Sequence, residues 1–128
     1  MTRPRIAVVD HGAGNLVSIS QALERVGAGV SVVDTPDGLA GTDGVVLPGV
    51  GSTGAVMDGI RRHGFAAVLG ETDRPLLGIC VGMQVLFETS EEDGASCLGL
   101  LEGTVRRLED APKLPHIGWN DLQLTGRS

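Results

Sequence analysis

One cysteine in this sequence has the surroundings of a nucleophile. Cys80 ends an apolar run and lies in GICVGMQ, residues 78–84, with Gly78 and Gly82 on either side. The pattern G-x-C-x-G is the thiol counterpart of the G-x-S-x-G elbow, a sharp strand-to-helix turn in which glycines relieve crowding around the nucleophile. A helix that begins directly after the cysteine offers the N–H of Val81 to a developing oxyanion. We therefore expect Cys80 to attack a substrate rather than to pack in a core.

The other cysteine has no such turn around it. Cys97 lies in SCLGL, where a free cysteine is ordinarily a small core residue. Neither cysteine belongs to a CxxC pair, so the sequence predicts no disulfide framework and no zinc site. We expect two reduced thiols, no metal and no cofactor.

A thiol nucleophile needs a general base, which is usually a histidine. His11 follows the first predicted strand and can approach the same edge of the sheet, although a loop histidine beside glycine is more often a surface group. His63 lies in a polar run at a helix end, where we expect it to be solvated. His116, in LPHIGWN, has no carboxylate nearby at a triad-like spacing. None of the three is a clear partner for Cys80.

A glycine-rich loop, GVGSTG at 49–54, has the literal form GxGxxG. It follows the third predicted strand rather than the first, and no acidic residue ends a strand about 20 residues later, so dinucleotide binding is disfavoured. A simple helix entry that needs small residues is one alternative. The other is an oxyanion site, because Pro48 restricts the chain while the flanking glycines let a peptide unit present its N–H.

The elements that must position these residues alternate between strand and helix. Short apolar runs predict buried strands at 6–10, 30–34, 44–48 and 75–80. Apolar residues spaced three and four apart predict helices at 15–27 and 54–72, the second with a break at Gly64. This order is typical of a doubly wound, mainly parallel α/β sheet flanked by helices, in which ligands collect beyond the carboxyl ends of the strands. The segments 103–109 and 119–124 alternate apolar and polar residues, which predicts half-exposed antiparallel strands after residue 100.

Composition excludes several classes of function. The chain of 128 residues has 41% hydrophobic and 20% charged residues, so we expect one soluble domain over 1–128. The net charge is −6 and the ten Lys and Arg are scattered, which gives no basic surface for nucleic acid or an anionic membrane. The N-terminal apolar run is far shorter than a signal or membrane segment, which favours a cytoplasmic location.

Four motifs in order resemble one protein family. They are DHGAGN, LPGVGSTG, GICVGMQVLFETSEE and LPHIGWN, and the resemblance extends over the whole of the 128 residues. The sequence is similar to the glutaminase subunits of imidazole glycerol phosphate synthases, a branch of the class I glutamine amidotransferases that acts in histidine biosynthesis. The resemblance implies a glutamine amidotransferase-like fold and a heterodimer with a barrel-shaped cyclase subunit. In such a complex, glutamine is hydrolysed through a thioester and the ammonia passes to the cyclase.

The resemblance also implies roles for individual residues. Cys80 would be the nucleophile, while the peptide between Gly49 and Val50, once turned, and the N–H of Val81 would supply the oxyanion donors. The remaining roles are glutamine binding and contact with the cyclase. Glutamine binding would involve Gly51, Gln84 and Glu92, for which the alternative is that Gln84 and Glu92 are solvated. The cyclase interface would involve Asn15, Trp119 and Asn120, with a core position as the alternative for Trp119.

The sequence also departs from the family pattern. Thr53 stands where the family usually has a bulky aromatic residue, and His11 where it usually has tyrosine. The F-x-H-P-E segment that carries the family's catalytic His and Glu does not occur in these 128 residues. We therefore expect a domain that is incomplete at its C-terminal end, poorly stable and at best feebly active. The alternative to an enzyme subunit is a noncatalytic fragment that keeps the fold.

Overall fold

The computed structural model describes residues 2–126. A four-stranded sheet forms its centre, with every pair of neighbouring strands parallel and the order β2-β1-β3-β4. The elements along the chain are β1 (Arg5–Val9), α1 (Leu16–Arg25), β2 (Gly29–Val33), a 3-10 turn (Pro36–Leu39), β3 (Gly44–Gly49), α2 (Thr53–Arg62), α3 (Phe65–Glu71), β4 (Leu76–Cys80), α4 (Val81–Gln84), β5 (Thr89–Ser90) and β6 (Thr104–Val105). The predicted α/β class with a parallel sheet flanked by helices is confirmed.

Helices lie on both faces of the sheet because side chains alternate along each strand. Ala7 and Val9 of β1 belong to the main core, together with apolar residues of α2 and α3. Val8 lies between them and is also buried, so it points to the opposite face, which α1 covers. The main core thus lies between the sheet and the pair α2 and α3. Its largest fully buried side chains include Phe65, Leu39, Leu47, Met57 and Ile60.

The predicted break in the second helix is present at Gly64. The residue has φ +79°, a backbone conformation that side chains with a β-carbon rarely adopt. Helix α2 ends at Arg62 and α3 begins at Phe65, which is fully buried. The glycine therefore redirects the chain so that both helices bury apolar residues against the same face of the sheet.

The strand predictions after residue 100 are wrong. Only Thr104–Val105 of the segment 103–109 is a strand, and it pairs in parallel with Thr89–Ser90 rather than antiparallel. The segment 119–124 has no regular structure, and its side chains are exposed. Alternation indicates a half-buried strand only where another strand lies alongside, and 119–124 has none among the described residues.

Strand β4 forms one edge of the described sheet, with β3 as its neighbour. Leu77 in this strand is 55% exposed, in contrast to the fully buried residues of β1. The expectation of an incomplete domain stays a prediction. None of the helices among residues 2–126 is long and apolar enough to cross a membrane.

Candidate active site

Cys80 lies at the junction of β4 and α4, as the elbow motif predicts. It has φ +56° and ψ −120°, and it is the one non-glycine residue with positive φ in the described chain. Such a conformation costs about 1–3 kcal/mol and persists only where the surrounding structure enforces it. The elbow holds the thiol at an exposed position beyond the carboxyl end of the strand.

Three glycines allow the backbone to pack tightly around this turn. A β-carbon on Gly82 would lie 1.9 Å from the carbonyl oxygen of Leu47, and one on Gly78 would lie 2.7 Å from the Cα of Met83. A β-carbon on Gly49 would lie 2.6 Å from the backbone nitrogen of Gly82. These distances are shorter than any van der Waals contact, so the first turn of α4 reaches its place against β3 only with glycine at all three positions.

Cys80 opens onto a cavity of about 520 Å³. The cavity is lined by Gly51, Val81, Gln84, Glu91, Glu92, Val105, Arg106 and Arg107 as well as Cys80. The three residues predicted to bind glutamine, Gly51, Gln84 and Glu92, therefore line the same cavity as the predicted nucleophile Cys80. Gln84 is half-buried at the end of α4 and Glu92 is exposed, and their role in binding glutamine stays a prediction.

Charge of both signs lines the same cavity. Glu91 and Glu92 provide carboxylates, and Arg106 and Arg107 provide guanidinium groups. The backbone N–H of Arg107 donates to Oε2 of Glu91 at 3.1 Å. This bond holds the residues that follow β6 beside the turn that contains Glu91 and Glu92. A small zwitterion such as an amino acid matches this pairing of charges. Sequence reasoning missed the two arginines, because no spacing rule relates residues 106 and 107 to Cys80.

Glu92 is positioned by the start of α2. Its Oε2 accepts from the N–H of Thr53 at 3.1 Å. The next residue, Asp93, accepts from the Thr53 hydroxyl and the N–H of Gly54, each at 2.7 Å. The Thr53 hydroxyl and the Gly54 N–H hold the pKa of Asp93 below its ordinary value, against a smaller opposing effect of desolvation. Thr53 is fully buried, so here a polar pair fills the position at which the resemblance leads one to expect an aromatic residue.

The predicted oxyanion strand adjoins Cys80, but the Val50 amide is engaged elsewhere. Gly49 is opposite Cys80 in the β3–β4 register. The N–H of Val50 donates to the carbonyl oxygen of Ala13 at 2.8 Å. Val81 is the first residue of α4, a position whose N–H has no acceptor within its own helix. In this conformation, the Val81 amide is thus placed beside the thiol, whereas Val50 would have to turn to act there.

A second cavity, of about 280 Å³, meets Cys80 from the α1 side of the sheet. It is lined by Asn15, Ser18, Ile19, Ala22, Pro48, Gly49, Val50, Ile79 and Cys80. Asn15 is also the N-cap of α1, since its Oδ1 accepts from the N–H of Ser18 at 3.3 Å. The predicted interface residues are therefore not equivalent: Asn15 has a local structural role, whereas Trp119 is fully exposed and Asn120 is exposed. The core alternative for Trp119 is wrong.

No histidine lines either cavity at Cys80 in the part of the chain that the structure describes. His11 is 3% exposed, so the surface alternative is wrong for it, and its ring contacts the carbonyl oxygen of Pro48 rather than lining a cavity at Cys80. His63 is half-buried, with Nδ1 2.9 Å from the carbonyl oxygen of Asp34. His116 is exposed and lines a separate depression with Lys113 and neighbouring prolines.

Cys97 differs from Cys80 in its surroundings, as the sequence predicts. It is partly buried and packs against the main core. Burial raises the pKa of the Cys97 thiol, and the nearby Asp93 carboxylate raises it further. The thiolate is the reactive form, so the raised pKa makes Cys97 a poor nucleophile. Among residues 2–126 there is no group of three or more His, Cys, Asp or Glu side chains that could hold a metal ion.

Comparison with known proteins identifies the family of this chain. The family model for class-I glutamine amidotransferases matches residues 7–125, and the chain belongs to that family. It is 52% identical over 125 residues to the imidazole glycerol phosphate synthase subunit HisH of Chloroflexus aurantiacus. It is 49% identical over 127 residues to the subunit of the same name from Nocardia farcinica. The matches cover 94% and 95% of this chain, but 59% and 60% of the two relatives.

A solved structure supports the fold. A crystal structure of a glutamine amidotransferase superposes with a TM-score of 0.66 at 23% sequence identity, covering 77% of this chain and 54% of the other. The chain thus spans about 59% of the length of the first curated relative.

Proposed function

We propose that this chain is the amidotransferase portion of an imidazole glycerol phosphate synthase glutaminase subunit, acting in the cytoplasm in histidine biosynthesis. The observation that carries the proposal is the convergence of Cys80, Gln84, Glu92 and Gly51 on one cavity of about 520 Å³. The high identity to subunits named HisH supports this branch of the family over the others.

The chemistry begins at the Cys80 thiolate. The sulfur attacks the side-chain amide carbon of glutamine, and the amide oxygen becomes an oxyanion. Collapse of that intermediate, with a proton delivered to nitrogen, releases ammonia and leaves a γ-glutamyl thioester on Cys80. Water then hydrolyses the thioester to glutamate and regenerates the thiol. The strained elbow serves this sequence by keeping the sulfur clear of the backbone and beside the Val81 amide.

The cavity groups suit the rest of the glutamine molecule. The Glu92 carboxylate can accept from the substrate ammonium while it also accepts from Thr53, because each carboxylate has several acceptor sites. The Gln84 amide can donate to, or accept from, the substrate's polar groups. These contacts orient the side-chain amide toward the sulfur, which is the main requirement for a rapid first step.

The proposed partner is the cyclase subunit that the relatives' name implies. In the heterodimer, the Gly49–Val50 peptide turns so that the Val50 N–H leaves Ala13 and faces the oxyanion. Trp119 and Asn120 contact the cyclase directly, and Asn15 lies at the same interface. No histidine lines the site in residues 2–126, so efficient proton delivery to ammonia is not supplied by the described residues. We expect Cys80 to be acylated while turnover by the 128-residue chain stays slow.

The test is covalent trapping with 6-diazo-5-oxo-norleucine, a glutamine analogue with an electrophilic carbon. Intact mass and peptide mapping, with and without the cyclase subunit, should show one adduct on Cys80 and none on Cys97. The matched controls are C80S, which should remain unmodified, and C97S, which should react like the parent. Absence of an adduct from folded protein in the presence of the cyclase would contradict the proposal and favour a noncatalytic amidotransferase-like fragment.

A further inference from the structure

A buried histidine ring joins the loop after β1 to the end of β3. His11 is 3% exposed, and its Nε2 lies 2.5 Å from the carbonyl oxygen of Pro48. Its other ring nitrogen, Nδ1, accepts from the N–H of Ala13 at 3.3 Å. Because Nδ1 accepts, the ring proton is on Nε2, and the ring donates to Pro48.

The position of the ring is set by the backbone below it. A β-carbon on Gly59 of α2 would lie 2.0 Å from the carbonyl oxygen of His11, so the helix packs directly against this loop. A β-carbon on Gly14 would lie 3.3 Å from Cγ of Pro48, which places the far end of the loop against the same proline. The contact with α2 therefore fixes the loop without help from the His11 ring. The hydrogen bond from the ring to Pro48 then holds the end of β3 against this fixed loop.

The loop holds two successive peptide groups of β3. The His11 ring donates to the carbonyl of the Pro48–Gly49 peptide, and the carbonyl of Ala13 accepts from the N–H of the Gly49–Val50 peptide at 2.8 Å. Only Gly49 separates these groups. The first bond fixes a peptide that need not move in the proposed reaction, and the second holds the peptide that must turn.

We propose that His11 is a positioning residue, which anchors the Pro48–Gly49 peptide so that the Gly49–Val50 peptide alone turns toward Cys80. The part of this inference that concerns Cys80 rests on the proposed glutaminase function. The anchoring of the Pro48–Gly49 peptide by His11 does not depend on that function. With the anchor in place, rotation about the two single bonds that flank the Gly49–Val50 peptide, ψ of Gly49 and φ of Val50, moves one N–H while the strand stays in register with Cys80. Without the anchor, the strand end moves as a whole and the amide is poorly aimed.

Hydrogen exchange of the Val50 amide, measured by NMR on the 128-residue chain, tests the anchor directly. H11L removes the donor to Pro48, and we expect it to accelerate Val50 exchange about tenfold. H11Q places an amide nitrogen near the position of Nε2 and should keep exchange within about twofold of the parent. H11N matches Nδ1 instead and should behave like H11L. Amides of the central strand β1 report global opening in the same spectra.

Two results would overturn the anchor. One is unchanged Val50 exchange in both H11L and H11N. The other is acceleration of Val50 and β1 amides by the same factor, which would show a general loss of stability. If H11L does not fold, the Val50 exchange rates of H11Q and H11N decide whether the anchor exists. The glutamine amide replaces Nε2 and the asparagine amide replaces Nδ1, so only H11N should accelerate exchange, and equal rates would overturn the anchor.

A reactivity ratio tests the link to the oxyanion. Iodoacetamide reports thiol reactivity alone, whereas 6-diazo-5-oxo-norleucine also places a carbonyl oxygen at the oxyanion site. We expect H11L to slow the second reagent about tenfold with little effect on the first, and H11Q to restore the rate. Equal slowing of both reagents would overturn the positioning role. If the parent chain fails to react with the glutamine analogue, with or without the cyclase subunit, the proposed function fails, while the exchange experiment still decides whether His11 anchors the strand.

Discussion

Gly82 and Leu47 approach so closely that the elbow accepts no side chain: a β-carbon on Gly82 would lie 1.9 Å from the carbonyl oxygen of Leu47. This contact joins the first turn of α4 to β3 directly behind Cys80. Both groups are backbone and both residues are buried, so neither can move away without disturbing the core.

The contact predicts a large loss of stability in G82A. We expect about 3 kcal/mol of destabilisation in urea unfolding, because the added methyl must displace either α4 or β3. The matched control is G70A in α3, where the new methyl would meet only Leu100 Cδ2, at 3.7 Å. That change should instead stabilise the chain by about 0.5–1 kcal/mol, since alanine restricts the unfolded chain. Equal effects of the two substitutions would show that the elbow is not closely packed.

Asp93 predicts a stability effect that depends on pH. Its pKa is lowered in the folded state by the Thr53 hydroxyl and the Gly54 N–H. Its contribution is therefore present above the unfolded value of about 3.9 and lost as the pH falls through the lower folded pKa. D93N should be less stable than the parent at neutral pH, and the difference should shrink as the pH falls below about 4. Urea midpoints measured across this range check the result.

The control for Asp93 is D121N, since Asp121 lies in the exposed segment near the C-terminus. D121N should show little difference from the parent at neutral pH. Valine at Thr53 removes the donor to Asp93, so T53V and D93N should be non-additive when combined. Strict additivity would mean that the pair does not interact in solution.

Glu92 should affect binding of a glutamine analogue more than its reaction. E92Q keeps the shape of the side chain and removes the charge that pairs with the ammonium, so we expect the concentration for half-maximal inactivation of Cys80 to rise about tenfold. The limiting rate at saturation should change little, because the carboxylate is not proposed to contact the reacting carbon. The control is E102Q, an exposed residue that does not line the cavity. A changed limiting rate with unchanged affinity would contradict the assignment.

Trp119 should affect assembly and leave the free chain unchanged. Its side chain is fully exposed, so W119A should alter unfolding free energy by less than about 0.5 kcal/mol. Aromatic anchors at interfaces often contribute about 2 kcal/mol, so the affinity for the cyclase subunit should fall about 30-fold in a titration. The control is V26A, another exposed apolar residue, located at the C-cap of α1. An equal effect of V26A on affinity, or none of W119A, would remove Trp119 from the interface.

Local pattern was sufficient to predict the four strands of the central sheet, the broken helix and the elbow. Short apolar runs predict strands that are covered on both faces of a parallel sheet, and the first four predicted strands lie in one such sheet. The burial prediction holds for β1 and β3 at its centre, whereas Val32 of β2 and Leu77 of β4, on the two edge strands, are about half exposed. Three glycines, Gly64, Gly78 and Gly82, could be recognised as turn positions from the sequence. Each lies where a β-carbon would be strained or would clash with the backbone, so the residue type itself indicates the local conformation. These features depend on residues a few positions apart, so a single sequence reveals them.

Contacts between distant segments were decided only by the tertiary structure. The 103–109 pattern indicated a strand, but not that its short paired part would lie parallel to Thr89–Ser90. The bond from His11 to Pro48 spans 37 residues and the bond from Thr53 to Asp93 spans 40. By itself, the sequence determined the four strands of the central sheet, the helices between them and the turn that holds Cys80. Which residues meet was decided by packing, because parallel strands are joined through helices and bring together residues that no local spacing relates.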